Sequence, residues 1–266
     1  MNTASHWRLM RDDAATGAHN MAVDETLLYG AAKGQSSLRF YAWQPHCLSL
    51  GRLQKTLPSA VFEGTMGQNI VRRPTGGRAV WHAHEITYAL AMPLDGLPDE
   101  ARSVSGAYRW LSDGFCAGLR ALGLPVQMAA QGVRTQGPNC FAASASCDFL
   151  VEGKKLIGAA QCRRDDALLQ HGSLLLSIDR AQWETRAGGP MHDAISLSDL
   201  GVAVETAADV ERILGQLCAG FERTTGAQLQ AGTLTEAEET LAERLRRAKY
   251  QDEHWTREGR LVETSA

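Results

Sequence analysis

The chain has 266 residues, 44% of them hydrophobic, and its 27 Lys and Arg against 30 Asp and Glu leave a formal charge of -3. That length and apolar share suffice for one large domain with a sizeable core. The near-balance of charge excludes the global basic field on which nucleic-acid binding rests. The opening stretch, MNTASHWRLMRDDAATGAHN, has no apolar core of signal-peptide length, and no later run nears the roughly eighteen apolar residues of a membrane span. A soluble cytoplasmic protein with no membrane or nucleic-acid partner is expected. Cysteines at 47, 116, 140, 147, 162 and 218 form no CxxC pair and read as free thiols.

In chain order, residues 18–32 place Met21, Val23, Leu27 and Leu28 at roughly helical spacing, with Gly34 as a stop, and predict an amphipathic helix. Short runs rich in β-branched and aromatic residues follow, SLRFYAW, CLSLG, NIVRRP, AVWH and ITYALAMP, separated by Pro or Gly, and predict strands. A second helix is expected over 101–122, with Val104, Tyr108, Leu111, Phe115, Leu119 and Leu122 on one stripe and Gly123 closing it. Strands resume with PVQMA, DFLVEG, KLIGAAQ and ALLQHGSLLL, and DFLVEGKKLIGAAQ reads as a hairpin with Gly153-Lys154 at its turn. Strict alternation from there puts Lys155, Ile157, Ala159 and Gln161 on one face and Leu156, Gly158 and Ala160 on the other. The small residues on this strand leave room for a ligand or another backbone. Helical patterns return around DRAQWETRA, over 206–225, and in LTEAEETLAERLRRAKY, which ends the fold before a short tail. Residues 1–231 read as the main domain, and 232–266 as a short helical extension packed on it.

Several motifs carry chemistry. Cys140 and Lys155 stand fifteen residues apart in GPNCFAASASCDFLVEGKKLIGAAQCRR. A fixed ammonium lowers a thiol pKa from about 8.5 toward neutrality and makes it a nucleophile, whereas a buried thiol and a solvated lysine would be inert. In RRPTGGRAVWHAHEITYAL the paired Gly76 and Gly77 suit either a tight turn or a backbone cradle for a carbonyl or an anion. It is not a P-loop, because no Lys-Ser/Thr follows and a strand comes next. His82 and His84 would share a strand face as a metal pair, but no third ligand is evident, so no metal is expected. His171, in QHGS, fits a satisfied core histidine or a ligand contact. The basic groups at Arg72-Arg73, Lys154-Lys155, Arg163-Arg164 and Arg244, Arg246, Arg247 and Lys249 fit a solvated face or a dock for an acidic protein.

RRPTGGRAVWH, a Cys-Phe segment, GKKLIGAAQ and LLQHGSLLL occur together in an order that resembles the biotin/lipoate A/B protein ligase family, from the NMAVDETLL helix to KYQDEHW. The resemblance implies a single α+β catalytic domain, a mixed sheet flanked by helices, with a tunnel for a medium-chain acyl or lipoyl group. Ligases of the family that adenylate lipoate carry a third glycine where this chain has Arg78, and do not need a cysteine in the second motif. Both departures are similar to the octanoyltransferase branch of LipM type. Carried over residue by residue, Cys140 becomes the acyl-thioester nucleophile and Lys155 the group that activates it. Arg73, Gly76, Gly77, His82, Gly158, His171 and Gly172 fall to the substrate site. Cys147 stands where an aromatic often occurs and has no assigned role.

The resemblance implies an acyltransferase without a cofactor. An octanoyl group leaves acyl carrier protein for Cys140 and passes to a lysine of a lipoyl-carrier protein, such as the glycine cleavage H protein, in lipoate biosynthesis. Three alternatives stay open: an ATP-dependent lipoate ligase, octanoyl transfer between carrier domains, and a non-catalytic acyl-binding module.

Overall fold

The computed structural model describes residues 5–55, 69–129, 148–188, 191 and 193–261. Cys140 and Cys147 lie outside the described residues. Eleven strands are present among them: β1 (His6–Arg11), β2 (Ser37–Tyr41), β3 (Cys47–Leu50), β4 (Ile70–Arg72), β5 (Val80–His82), β6 (Glu85–Pro93), β7 (Gln127–Met128), β8 (Phe149–Val151), β9 (Lys154–Arg164), β10 (Ala167–Leu175) and β11 (Gln228–Ala231). The α-helices are α1 (Gly17–Ala31), α2 (Val104–Ala121), the single turn α3 (Arg180–Trp183), α4 (Ala207–Thr225), α5 (Glu236–Leu245) and α6 (Glu253–Glu258).

Eight strands form one mixed sheet in the order β11-β1-β2-β6-β10-β9-β8-β7, in which β1 runs parallel to both neighbours and the other pairs are antiparallel. A smaller sheet, β4-β3-β5, stands apart from it. Helices α2 and α4 cover one face of the large sheet over a core that includes Trp7, Phe40, Tyr88, Phe115, Phe149 and Phe221. Helix α1 covers the other face and is itself covered by α5 and by the turn Arg246–Tyr250. This is the expected α+β architecture.

The layering corrects the amphipathic reading of α1. Eleven of its fifteen residues are buried, among them Asn20, Asp24, Glu25 and Thr26. A helix with protein on two sides has no solvent face, and its polar residues are accommodated only because each finds a partner. Thr16 caps its start, accepting from the His19 amide at 3.3 Å. The expected last helix runs as α5 to Leu245 and continues as a wider helical turn to Tyr250, and α6 follows where a short tail was expected.

The β8–β9 hairpin turns one residue earlier than expected, at Glu152-Gly153. Both residues have positive φ, 53° and 75°, the geometry a two-residue hairpin loop requires. Lys154 is therefore the first residue of β9. A bulge also interrupts the alternation: Phe149 pairs with Ile157 and Leu150 with Lys155, so Leu156 is the extra residue. Leu156 and Ile157 consequently both enter the core. Lys155 does not share a regular face with Ile157.

Candidate active site

A narrow cavity of about 30 Å³ opens between the large sheet and the β4-β3-β5 sheet. It is floored by Gly158, Ala159 and Ala160 of β9 and by His171, Gly172 and Ser173 of β10. Met21, Tyr41, Trp43 and Val80 supply apolar walls, and Ser49, Arg73, His82 and Thr87 supply polar ones.

The polar lining is wired into two chains of hydroxyl, imidazole and carboxylate. In the first, the Asp24 Oδ2 atom lies 2.9 Å from His171 Nδ1, and His171 Nε2 lies 2.6 Å from Thr75 Oγ1. Asp24 also accepts from Arg39 Nη1 and from the Tyr41 hydroxyl, each at 2.8 Å. Burial works to raise the Asp24 pKa, but His171, Arg39 and Tyr41 together hold it below the ordinary value. Burial pushes His171 down and outweighs Asp24. A neutral His171 thus donates from Nδ1 to the carboxylate and accepts the Thr75 hydroxyl at Nε2.

The second chain runs through His82. Its Nδ1 lies 2.6 Å from Glu85 Oε1 and its Nε2 2.7 Å from Ser49 Oγ. Arg73 Nη1 also donates to Ser49 Oγ at 3.1 Å. Glu85 Oε1 further accepts from the hydroxyls of Thr87 at 2.6 Å and Ser173 at 2.7 Å. Burial works to raise Glu85, yet His82, Thr87 and Ser173 keep it below the usual carboxylate value. Trp43 stacks on the His82 ring at 3.9 Å and donates to Thr87 at 2.7 Å.

The TGGR loop is held from beneath by Arg73, whose guanidinium donates to the carbonyls of Gly76 and Arg78, each at 2.7 Å from Nη2. Gly77 has φ +90°, and its carbonyl comes so close to Gly51 that a Cβ there would sit 1.8 Å from the oxygen. Gly51 is thus part of the loop's seat, although its strand-end position gave no sign of it. Neither Gly76 nor Gly77 lines the cavity, whereas Arg73, His82, Gly158, His171 and Gly172 do. At Gly172 a Cβ would meet the Tyr88 ring and hydroxyl at 2.8 Å, so an aromatic neighbour requires this glycine.

Lys155 is 3% exposed, and its Nζ pairs with Asp148 Oδ2 at 2.8 Å. Its backbone is tied on the side away from β8, with its amide donating to Asp193 O at 2.7 Å and its carbonyl accepting from Ile195 at 3.0 Å. Lys155 is the second residue of the strand that floors the cavity, about 10 Å along it from Gly158. Asp148 escaped the sequence reading, which treated CDFLV only as a strand start.

The four described cysteines are free. Burial pushes Cys116 up to about 12 and Cys162 up to about 11, and raises Cys47 and Cys218 as well. None of these four is an activated thiol.

Two sequence readings are corrected here. His82 and His84 do not form a pair: β5 ends at His82, both of whose ring nitrogens are bonded, while His84 is exposed and edge-on to His46 at 5.4 Å. The basic doublets are not a shared face either. Arg72 and Arg73 are buried at 1% and 4%, Arg164 and Lys249 bind Glu25, and Arg246 and Arg247 bind Glu243.

The model of the lipoyl protein ligase A/B catalytic domain matches residues 16–198. An octanoyltransferase LipM of Kyrpidia tusciae is 37% identical over 94% of this chain and 97% of its own. The LipM of Bacillus subtilis is 31% identical over 94% and 97%. Among solved structures, an archaeal bipartite lipoate protein ligase from Thermoplasma acidophilum superposes with a TM-score of 0.75 at 22% identity, covering 98% of this chain and 99% of that one. A lipoate-protein ligase A bound with ATP gives 0.74 at 21%, covering 95% and 98%. The structural likenesses carry the fold, and the sequence matches carry the branch: the chain belongs to the lipoyl protein ligase A/B catalytic domain family, alongside the octanoyltransferases of LipM type.

Proposed function

We propose that the chain is an octanoyltransferase of lipoate biosynthesis that takes octanoyl from acyl carrier protein onto Cys140 and delivers it to a lysine of a lipoyl-carrier protein, such as the glycine cleavage H protein. The observation that carries this reading is the match to LipM octanoyltransferases over nearly the whole of both chains. The cavity supports it chemically. Its imidazoles and hydroxyls are bonded to one another, so an apolar acyl chain can lie against them without leaving a polar group stripped of its partner.

In the first half-reaction the Cys140 thiolate attacks the thioester carbonyl, a new C–S bond forms, and the carrier thiol leaves. In the second, the acceptor lysine's amine attacks, the C–N bond forms and the Cys140 thiolate is released, with the amine proton passing to solvent. Thioester exchange is nearly even and amide formation is downhill, so no nucleotide is required. Lys155, held by Asp148, supplies the positive charge that favours the thiolate and the developing oxyanion. Arg73, His82, Gly158, His171 and Gly172 bound the acyl chain, and Gly76 and Gly77 present backbone toward the thioester end. Residues 1–231 constitute the catalytic domain in this reading, and 232–266 a helical extension packed on it. The setting is cytoplasmic; no helix among the described residues is long and apolar enough to cross a membrane.

Incubation with octanoyl-acyl carrier protein alone, followed by intact mass, tests the proposal. An octanoyl adduct that is absent in Cys140→Ala is expected. Acceptor modification that requires ATP, with no adduct, would instead identify a ligase.

A further inference from the structure

Two pairs of adjacent residues each look both ways. On α1, Asp24 bonds His171 at the cavity, while Glu25 turns to the C-terminal segment. Glu25 is 1% exposed and accepts from Lys249 Nζ at 2.7 Å, from the Tyr250 hydroxyl at 2.7 Å and from Arg164 at 2.8 Å. Successive helix residues are about 100° apart, so one turn of α1 can face two layers.

At the end of β4, Arg73 bonds Ser49 and the TGGR carbonyls, while Arg72 reaches the C-terminal segment. Its guanidinium donates to the carbonyls of Trp255, Thr256 and Arg257 at 3.1, 2.9 and 2.7 Å, and Trp255 Nε1 returns a bond to the Arg72 carbonyl at 2.9 Å. Neighbouring strand residues point to opposite sides, which makes the Arg-Arg doublet a two-sided clasp.

A third thread joins the same parts. The Arg52 amide donates to Thr75 O at 2.7 Å, and its guanidinium lies 4.5 Å from the centre of the Trp255 ring. Arg72 Nη1 also donates to Gly51 O at 2.6 Å, beneath the seat of Gly77.

Two threads end one residue from a group that bounds the cavity or bonds to one that does, and the third ends on Thr75, which bonds His171. We propose that the segment 249–257 is a brace for the acyl-binding site, with Lys249, Tyr250 and Trp255 acting as positioning residues that set His171, Arg73 and Thr75 through Glu25, Arg72 and Arg52. The inference rests on reading the cavity as the acyl site, and it makes the C-terminal segment part of that site.

Lys249→Met with Tyr250→Phe tests it in the full-length protein, because neither side chain lines the cavity and the second change removes one hydroxyl. Steady-state octanoyl transfer and the ring-nitrogen NMR signals of His171 are the readouts. A KM for the octanoyl donor raised about three- to tenfold, with kcat nearly unchanged, is the expected result. The His171 signals should shift, and Lys249→Arg alone should restore them. If melting temperature falls while either KM or the His171 signals stay as in the parent, the segment is only a stabiliser and the proposal is overturned. Should the parent protein fail to transfer octanoyl at all, the functional reading falls, and the His171 signals alone decide the brace. Arg52→Ala, which removes the stack on Trp255 and the bond from its guanidinium to Gly259 O, serves as the second variant if the double variant does not fold.

Discussion

Lys155 and Asp148 close a buried ion pair beside the β8–β9 hairpin, Nζ to Oδ2 at 2.8 Å, with side chains 3% and 0% exposed. Desolvation makes such a pair costly to break. Asp148→Asn takes the carboxylate from a buried ammonium and is expected to destabilise the fold by ~3–5 kcal/mol. It should also slow octanoyl transfer at least tenfold more than Asp148→Glu does. Urea denaturation and single-turnover transfer check both parts, and equal rates for the two variants would count against an electrostatic role.

The apolar end of the cavity predicts chain-length selection. Met21 and Trp43 line it, with Trp43 fixed by its bond to Thr87 and its stack on His82. Met21→Ala should raise the ratio of decanoyl to octanoyl transfer severalfold, at ~2–5 kcal/mol of stability. Competition between the two acyl carriers, read by product mass, measures that ratio.

Acid should weaken the protein in two stages. Burial depresses His171 below the ordinary imidazole value of 6.5, so the unfolded chain binds the proton more readily. Its contribution is fully present above about pH 6.5 and is lost as pH falls through the depressed folded value. Asp24, Glu25 and Glu85 are held below the ordinary carboxyl values of 3.8, 4.5 and 4.5, and they add a second loss as pH falls below those values. Denaturation midpoints across about pH 8 to 2 should decline in both windows, and His171→Gln should flatten the upper one and, by taking a partner from Asp24, reduce the lower one.

The glycines of the TGGR loop and its seat should differ in tolerance. Nothing lies within 4 Å of a Cβ at Gly76, Gly77 has φ +90°, and a Cβ at Gly51 would overlap the Gly77 carbonyl. Gly76→Ala should be nearly silent, whereas Gly77→Ala should cost about 1–2 kcal/mol. Gly51→Ala should cost more and impair transfer, because the loop itself must move. Thermal melts and KM for the octanoyl donor separate the three.

Thiol reactivity offers a further check. Burial raises Cys47, Cys116, Cys162 and Cys218, so brief alkylation at pH 7.5 should spare all four. Peptide mapping is expected to find Cys140 labelled first, and Cys162→Ala should keep full activity.

Elements with strong local signals were legible in the chain. Helices α1, α2 and α4 begin and end within a few residues of their predicted bounds, because caps such as Thr16, Ser103 and Thr206 are local. Strands β1 and β11 were not, since His6–Arg11 and Gln228–Ala231 are short and partly exposed, and they pair across more than two hundred residues. The cavity residues His82 and His171 were visible as residue types, but their carboxylates were not. Asp24 reaches His171 from 147 positions away, a distance no spacing rule encodes. The doublets misled for a related reason: charge on paper reads as surface, and only the fold reveals that Arg72 lies against backbone carbonyls.

The imidazoles of His82 and His171 have both ring nitrogens engaged, by Glu85 and Ser49 in one case and by Asp24 and Thr75 in the other. A saturated wall of this kind discriminates by refusal. A straight hydrocarbon asks nothing of it, whereas a chain bearing a terminal carboxylate must draw a donor away from a bond already made. In the proposed reading, acyl groups of the same length that end in a carboxylate should therefore be transferred poorly.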